Sequence, residues 1–255
     1  MGGDSMEDLH EAVLKTAEML RQSRKTLALT GAGASTGSGI PDYRSKGTGL
    51  WEKYNPMQRA SVTALLNNPA EFYSFSLLRW ASYLEAEPNA VHRSLALLEK
   101  SGLIYGVITQ NIDGLHRKAG SLKVWEVHGH LRSCHCLQCA QQYPFAELTE
   151  QYNRGINPPR CQVCQGILRP DVVLFEDPMG EDYYRAVDEA VNCDLMLVVG
   201  SSLQVYPVAD LPRLARQLII VNREPTPWDQ RAVVVVHAQA EKFLGDLVHH
   251  LGLSE

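Results

Sequence analysis

The sequence has no apolar run that approaches the roughly 20 residues of a membrane-spanning helix, and its charged N-terminal segment lacks the apolar centre of a signal peptide. Basic charge is not in excess either, since 24 Lys and Arg stand against 29 Asp and Glu, a net charge of −5. Nucleic-acid partners usually require the opposite sign. We therefore expect a cytoplasmic protein without a direct nucleic-acid or membrane partner, and we expect a monomer.

Two nucleotide-binding signatures are also missing. No Gly-Lys-Ser or Gly-Lys-Thr occurs, which excludes a P-loop. A dehydrogenase fingerprint fits badly, because Gly37 stands one residue late after Gly31 and Gly33, and no acidic residue closes a second strand about 20 residues on. The chain does hold a glycine-rich turn in residues 30–44, directly after an apolar run, where backbone N–H groups can close on a phosphate. An ordinary glycine-rich turn is the alternative.

The cysteines are few and concentrated. Five of the six fall within 31 residues, which indicates metal binding before disulfides in a chain without a secretion signal. Two C-x-x-C pairs supply four thiolates for a closed tetrahedral zinc site: Cys136, Cys139, Cys161 and Cys164. We expect one structural zinc ion per chain. The alternatives are Cys134 in place of Cys136, or a disulfide, and Cys193 is expected to be a buried bystander.

Short apolar runs recur along the chain, with helical stretches between them. The alternation predicts an α/β fold, a Rossmann-type doubly wound parallel sheet with helices on both faces. The predicted strands are residues 26–30, 103–109, 124–127, 171–175, 194–199, 218–221 and 233–236.

Between residues 45 and 87 the pattern is helical, which predicts an insertion rather than a further strand–helix–strand unit. Asn68-Pro69 is typical of a helix start. Four large residues then recur at helical spacing and predict a packed core stripe: Tyr73, Leu77, Trp80 and Leu84.

Polar side chains follow two of the predicted strands. Gln110, Asn111 and Asp113 come after the second strand, and His128 follows the third. The carboxyl ends of parallel strands are where doubly wound folds place chemistry, and imidazole is suited to proton transfer near neutral pH. Each residue taken singly has a structural alternative, since Asn and Asp also cap helices. His92, on a predicted helix, is expected to be a core histidine.

These elements, in this order, resemble the sirtuin family of NAD-dependent protein lysine deacylases. The resemblance runs over roughly residues 25–245. It rests on these segments: GAGAS (31–35), GIPDYR (39–44), TQNIDGLH (109–116), HG (128–129), the two C-x-x-C pairs, LRPDVVLF (168–175), GSSLQVYP (200–207) and NRE (222–224).

The resemblance implies two domains. Residues 1–44, 88–130 and 171–255 would form the Rossmann-type NAD-binding domain. A smaller domain would combine a helical module, 45–87, with a zinc-binding module, 131–170, that carries the four cysteines. The acyl-lysine tunnel would lie between the two domains.

The resemblance also implies the roles of individual residues. His128 would be the general base, and Asn111 would order a water molecule. NAD, as a co-substrate, would contact Gly31, Ala32, Ala34, Asp42, Tyr43, Arg44, Gln110, Asn111, Ile112, Asp113, Gly200, Ser201, Ser202, Asn222, Arg223 and Ala238. The backbone of an acyl-lysine protein or peptide would add as a strand beside Val172, Val173, Leu174, Phe175 and Val205.

The chemistry implied by the resemblance consumes NAD. Nicotinamide leaves, the acyl oxygen attacks the ribose C1′ atom, and His128 accepts a proton through the ribose hydroxyls. Water then releases lysine and O-acyl-ADP-ribose. Protein mono-ADP-ribosyltransfer at the same NAD site, a non-catalytic NAD-sensing scaffold and a dehydrogenase are the alternative functions.

The chain departs from the family pattern at three places. Many deacetylases have Phe at the position of Tyr43, and the family usually has glycine at the position of Glu176. The branch that uses succinyl-lysine carries Tyr-x-x-Arg in the helical module, whereas here Tyr73 is followed by Ser76. The sequence therefore predicts poor use of succinyl-lysine and a preference for neutral acyl groups.

Overall fold

A computed structural model of the chain describes residues 6–45, 47 and 49–254. Its strands are β1 Thr26–Thr30, β2 Gly106–Thr109, β3 Val124–Glu126, β4 Gly129–Cys136, β5 Gln142–Pro144, β6 Leu168–Val172, β7 Leu195–Val199, β8 Gln217–Val221 and β9 Val234–Val236. Its α-helices are α1 Met6–Gln22, α2 Leu50–Lys53, α3 Pro56–Arg59, α4 Val62–Asn67, α5 Pro69–Glu85, α6 Ala90–Lys100, α7 Leu115–Lys118, α8 Ala146–Asn153, α9 Glu181–Val191 and α10 Ala240–His250. Over the described residues, no helix is both long and apolar enough to cross a membrane.

Six strands form one parallel sheet in the order β3-β2-β1-β7-β8-β9. Every residue of β1 and β7 is buried, as expected for central strands covered on both faces. The chain runs from β1 outward to β2 and β3, and later resumes on the other side with β7. The topological switch point therefore lies between β1 and β7, where open α/β sheets bind ligands. The predicted fold class is confirmed.

Helices cover both faces of the sheet. Helices α1, α6 and α10 bury Leu20, Leu95 and Phe243 in the core on one face. Helix α9 buries Ala186 on the other face, together with Leu211 from a 3-10 segment. The sheet is thus the middle layer of three, and its carboxyl edge stays open for a site.

A second core joins two segments that are distant in the sequence. Phe72 and Trp80 of α5 share it with Phe145, directly after β5, and with Leu168, the first residue of β6, in the three-stranded antiparallel sheet β5-β4-β6. The Tyr73 hydroxyl also donates a hydrogen bond to the Leu168 carbonyl. The helical and cysteine-bearing insertions therefore form one small unit. The exact division into domains stays a prediction: the small sheet spans 129–172, slightly beyond the predicted 131–170, and the predicted segment 1–44 begins outside the described residues.

Three details of the sequence-based prediction are wrong. The strand predicted at 171–175 is β6, Leu168–Val172, and it pairs with β4 in the small sheet because their register aligns Cys136 with Leu168. Strand β2 begins at Gly106, since the N–H groups of Leu103 and Ile104 bond back to Leu98 at the end of α6. Leu84 is 44% exposed, and Tyr83 is buried in its place.

Candidate active site

A deep cleft lies at the carboxyl edge of the parallel sheet, between the sheet and the small unit. The loops after β1, β2, β7 and β8 line its floor, and α5 and the segment after β6 line its walls. His128 lies in the same cleft. The switch point and the small unit together thus enclose every strand-end residue that the sequence singled out.

The loops after β1 and β7 pack backbone against backbone. The N–H of Gly33 donates to the Gly200 carbonyl at 2.9 Å, and Gly200 has a φ of +61°. A Cβ atom on Gly200 would lie 2.3 Å from the Ala34 nitrogen, so this approach requires glycine. In the described contacts the N–H groups of Ala32, Ser201 and Ser202 have no hydrogen-bond partner. Free N–H groups that line a cleft suit an anion such as a phosphate.

Ser35 links the strand ends beneath the cleft. Its hydroxyl donates to Asp113 at 2.7 Å and accepts from the Asn111 amide at 2.9 Å. That amide also donates to the Gly31 carbonyl at 3.0 Å. Burial raises the pKa of Asp113, although hydrogen bonds from the Leu115 N–H and the Ser35 hydroxyl oppose it. Two predicted site residues are therefore held by one buried serine.

His92 is buried, as predicted, but it belongs to this network. Its Nδ1 accepts from the Asn89 N–H at 3.2 Å, so the ring proton is on Nε2, 3.3 Å from the Ser35 hydroxyl. Burial, with a smaller effect from the charge of Arg93, lowers the pKa of His92 to about 4. The neutral imidazole is required, because protonation would remove the acceptor that Asn89 uses.

A second buried histidine, His116, supports the ends of β1 and β2. Its Nε2 lies 2.9 Å from the Thr30 hydroxyl, which donates to the Thr109 hydroxyl at 2.8 Å. The Asn111 N–H donates to Thr109 in turn, at 3.1 Å. Burial lowers the pKa of His116 well below its usual value, and His92 adds to the effect. Both histidines are thus neutral supports of the site.

A buried ion pair positions the turn that carries His128. Glu126 is 4% exposed, and its two oxygens accept from the Arg132 guanidinium at 2.7 and 2.6 Å. Arg117 donates to Glu126 as well, at 3.2 Å. Burial alone would raise the pKa of Glu126, but the hydrogen bonds and charges of the two arginines outweigh it and hold that pKa below its usual value. The β3–β4 turn is therefore clamped on both sides of His128.

His128 has the geometry of a neutral base. Its Nδ1 lies 3.0 Å from the Gln110 carbonyl, so Nδ1 carries the ring proton and Nε2 is the free acceptor. Burial lowers the pKa of His128, and the Gln110 carbonyl opposes this only in part. The imidazole is therefore neutral and able to accept a proton at pH 7.

The structure places nearly all of the predicted residues in the cleft. Ala34 is the exception: it is fully buried in the core, and its carbonyl accepts from Asn89 at 2.9 Å. The predicted residues that line the cleft are Gly31, Ala32, Asp42, Tyr43, Arg44, Gln110, Asn111, Ile112, Asp113, His128, Val172, Val173, Leu174, Phe175, Gly200, Ser201, Ser202, Val205, Asn222, Arg223 and Ala238. Residues that line the cleft outside the predicted set include Thr36, Ile40, Trp51, Arg79, Trp80, Tyr83, Met179, Glu224 and Glu241.

The loop that carries Tyr43 is braced internally. The Asp42 carboxylate accepts from the N–H groups of Arg44 and Ser45, at 3.1 and 2.8 Å. The Tyr43 ring stacks on Trp51, with 5.3 Å between centroids. Asp42 thus shapes the loop, and the two aromatic rings form an apolar wall of the cleft.

The segment after β6 has most of its N–H groups occupied. Val173 donates to the His128 carbonyl, Leu174 to Asp177 and Phe175 to the Ala60 carbonyl. In the described contacts the N–H and C=O of Glu176, which lines the cleft, have no partner.

Glu176 has a φ of +77°, which favours glycine. Its carboxylate accepts from the Thr63 N–H of α4 at 2.8 Å. This bond offsets the strain of placing a non-glycine residue at the position.

The four predicted cysteines form one cluster. The Sγ atoms of Cys136, Cys139, Cys161 and Cys164 lie within 4.8 Å of one another. A tetrahedral ion with metal–sulfur bonds of about 2.3 Å needs separations of about 3.8 Å, so the cluster fits a metal. Cys134 lies outside it, with Sγ 3.6 Å from the Pro144 carbonyl, and Cys193 is buried elsewhere.

An open parallel sheet with a glycine-lined cleft at its switch point defines the class of Rossmann-type nucleotide-binding folds. The family follows from comparison with known proteins. The family model "Sir2 family" matches residues 31–207, more than half of the chain. The chain therefore belongs to the Sir2 family, and the resemblance inferred from its motifs is confirmed.

Relatives agree over nearly the full length. "NAD-dependent protein deacetylase 2" of Caldanaerobacter subterraneus subsp. tengcongensis is 49% identical, covering 91% of this chain and 93% of the relative. "NAD-dependent protein deacylase 2" of Archaeoglobus fulgidus is 41% identical, covering 95% and 97%. A solved Sir2 structure with deacetylated p53 peptide and 3′-O-acetyl-ADP-ribose superimposes with a TM-score of 0.91 at 36% identity, covering 95% of this chain and 99% of that one.

We predict that the buried neutral histidines make the fold acid-sensitive. Because the pKa values of His92 and His116 are lowered in the folded state, the unfolded chain binds more protons below about pH 6.5. Stability should therefore fall as the pH drops from 6.5 towards 4, by at most about 1.4 kcal/mol per pH unit for each histidine.

Urea unfolding between pH 7.5 and 5 measures this dependence. His92→Gln should flatten it, whereas the same change at the exposed His10 should not. A His92→Gln profile parallel to that of the parent protein would contradict the prediction.

A second prediction concerns the backbone of Glu176. Glu176→Ala should unfold more easily than Glu176→Gly by about 1 kcal/mol, because both lose the bond to Thr63 but only glycine escapes the left-handed penalty. At the exposed Glu150 within α8 the order should be reversed. The urea midpoints of the Ala and Gly variants at positions 176 and 150 test this prediction. If Glu176→Gly is less stable than Glu176→Ala, the backbone of Glu176 is not strained.

Proposed function

We propose that the protein removes acetyl and other acyl groups from lysine side chains of proteins, with NAD as co-substrate and nicotinamide and O-acyl-ADP-ribose as products. One observation carries the proposal: a neutral histidine shares a single cleft with free N–H groups suited to phosphate and with a backbone segment suited to a peptide. The relatives named deacetylase and deacylase support it. We also propose that the protein acts as a cytoplasmic monomer.

The N–H groups of Ala32, Ser201 and Ser202 would hold the pyrophosphate. Ile112 and Asp113 would hold the nicotinamide carboxamide, and Asn222, Arg223 and Ala238 would line the adenosine end. When bound, NAD supplies a ribose carbon that becomes electrophilic as nicotinamide departs. Tyr43 and Trp51 would exclude water from this carbon, so that the acyl oxygen is the nucleophile that reaches it.

His128 would hold and then move a proton at Nε2. Its other nitrogen is fixed by the Gln110 carbonyl, and the clamp between Glu126 and Arg132 fixes the turn. Asn111, held by Ser35, would order the water that completes the hydrolysis.

The acyl-lysine peptide would add as a strand between the segment 172–176 and the loop at Val205–Tyr206. Because the N–H groups of Val173, Leu174 and Phe175 are occupied, the free backbone of Glu176 would make the pairing bonds on one side. The Val173 carbonyl also has no partner in the described contacts and can accept there.

We propose that the four-cysteine cluster holds one structural zinc ion. Four thiolates close the coordination shell, so the ion would stabilise the small unit and take no part in the reaction. Cys136 of the cluster ends β4, and β6, which pairs with β4, leads directly into the segment 172–176 of the cleft.

The first test is His128→Ala. Removal of a general base typically costs about 100- to 10,000-fold in rate, so nicotinamide release with an acetyl-lysine peptide should fall by at least about 100-fold. NAD binding and the melting temperature should change little. His130→Ala, two residues away and outside the cleft, is the matched control. Full turnover by His128→Ala would show that another group is the base.

The second test is metal removal. A chelator that strips the zinc should open the small unit and abolish deacylation, because the ion crosslinks segments 22 residues apart between Cys139 and Cys161. Metal content by atomic absorption and activity should fall together, and Cys193→Ser should leave both unchanged. A verified metal-free protein with full activity would contradict the structural role.

A further inference from the structure

Glu176 stands where a peptide strand would pair with the wall of the cleft. It lines the cleft, and its N–H and C=O have no partner in the described contacts. The preceding Phe175 is already paired, because its N–H donates to the Ala60 carbonyl and its carbonyl accepts from the Val62 N–H, each at 3.0 Å. A substrate backbone would therefore pair with Glu176, and its side chains would pass close to the Glu176 carboxylate.

The carboxylate of Glu176 is held by the protein but is not neutralised by it. Its Oε2 atom accepts from the Thr63 N–H at 2.8 Å, and no contact to Oε1 is described. Over the described residues, no nitrogen atom of Lys, Arg or His lies within 4.0 Å of either oxygen. The side chain is exposed. One oxygen thus fixes the position of the group, and the other can accept from a ligand.

The neighbouring Asp177 does not supply a second free charge. Its Oδ1 atom accepts from the Arg169 guanidinium at 3.1 Å, and its Oδ2 atom accepts from the Leu174 N–H at 2.8 Å. Both side chains of this ion pair are largely buried. The residues from 172 to 175 are apolar. Glu176 is therefore the only uncompensated charge of the segment 172–177.

A charge at a strand-pairing position selects by the sign of its neighbour. Residues directly opposite on paired strands place their Cβ atoms about 5 Å apart, where opposite charges stabilise the pairing and like charges destabilise it. A lysine that carries a neutral acyl group brings no charge of its own. The side chains that flank the acyl-lysine in the peptide are therefore the groups on which Glu176 can act.

We propose that Glu176 selects acyl-lysine substrates that carry a lysine or arginine one or two residues from the acylated lysine, and disfavours substrates with aspartate or glutamate there. The inference rests on the proposed deacylase function and narrows its substrate class. Glu176 is a specificity-determining residue that acts on peptide binding, and it takes no part in the use of NAD or in proton transfer at His128.

A set of acetyl-lysine peptides that differ only in the flanking residues tests the inference. The flanking residues are lysine in one peptide, alanine in the second and glutamate in the third. The readout, from nicotinamide release, is the ratio of kcat/KM for the basic peptide to that for the acidic peptide. The parent enzyme should favour the basic peptide by about threefold or more, Glu176→Gln should remove most of this preference, and Glu176→Lys should reverse it.

Salt provides a second readout, because exposed ion pairs are screened. The preference of the parent enzyme should weaken as NaCl is raised from about 0.05 M to about 0.5 M, and that of Glu176→Gln should change less. The amide oxygen of glutamine can still accept from the Thr63 N–H, so the melting temperature should stay close to that of the parent. Glu150→Gln, at an exposed position of α8 outside the cleft, removes the same net charge and should leave the ratio unchanged.

A parent enzyme that does not distinguish the basic from the acidic peptide would overturn the inference. A Glu176→Gln variant that keeps the full preference would overturn it too, since another group would then read the flanking charge. A change confined to the KM for NAD would also contradict it. If none of the three peptides is deacetylated by the parent enzyme, the proposed function itself fails, and this inference fails with it.

Discussion

The site depends on one close contact between backbones, the approach of the loop after β1 to the loop after β7. Gly33 donates to the Gly200 carbonyl at 2.9 Å, and any side chain on Gly200 would collide with the Ala34 nitrogen. The contact joins the two loops at the switch point between β1 and β7. In the described contacts the N–H groups of Ala32, Ser201 and Ser202 beside it have no partner. Gly31 and Gly33, which fit a dehydrogenase fingerprint, both belong to this contact, whereas Gly37, which does not fit it, faces Glu241 and Asn89 instead.

A layer of buried polar side chains beneath this contact fixes the positions of Asn111 and Asp113, which line the cleft. Ser35 bonds Asn111 and Asp113, and two neutral histidines support the same strand ends from below. On the far side, the pair between Glu126 and Arg132 holds the turn of His128. The residues beneath the cleft are therefore joined by one continuous set of buried hydrogen bonds on one side and by an ion pair on the other. The walls are formed by α5 and by the segment after β6, which belong to the small unit.

A feature of this structure could be predicted from the sequence when neighbouring residues determine it, and could not when contacts between distant segments determine it. The carboxyl ends of the parallel strands could be predicted, because a buried parallel strand is a short apolar run that ends where polar residues begin. The cysteine cluster could be predicted because its four cysteines form two C-x-x-C pairs. The bounds of β6 were not, because they are set by pairing with β4, more than 30 residues away in the chain. The same holds for the left-handed backbone of Glu176, which is supported by Thr63, 113 residues away in the chain. Arg79 and Tyr83 were missed because a helical stripe shows which residues share a face, but not where the core ends and a cleft begins.

The most direct test of the account is mass spectrometry of all products formed from NAD and an acetyl-lysine peptide. The account predicts equal amounts of nicotinamide, peptide with free lysine and O-acetyl-ADP-ribose. A peptide or protein that carries ADP-ribose while the lysine remains acetylated would contradict it, since the same cleft would then transfer the ribose to a different nucleophile.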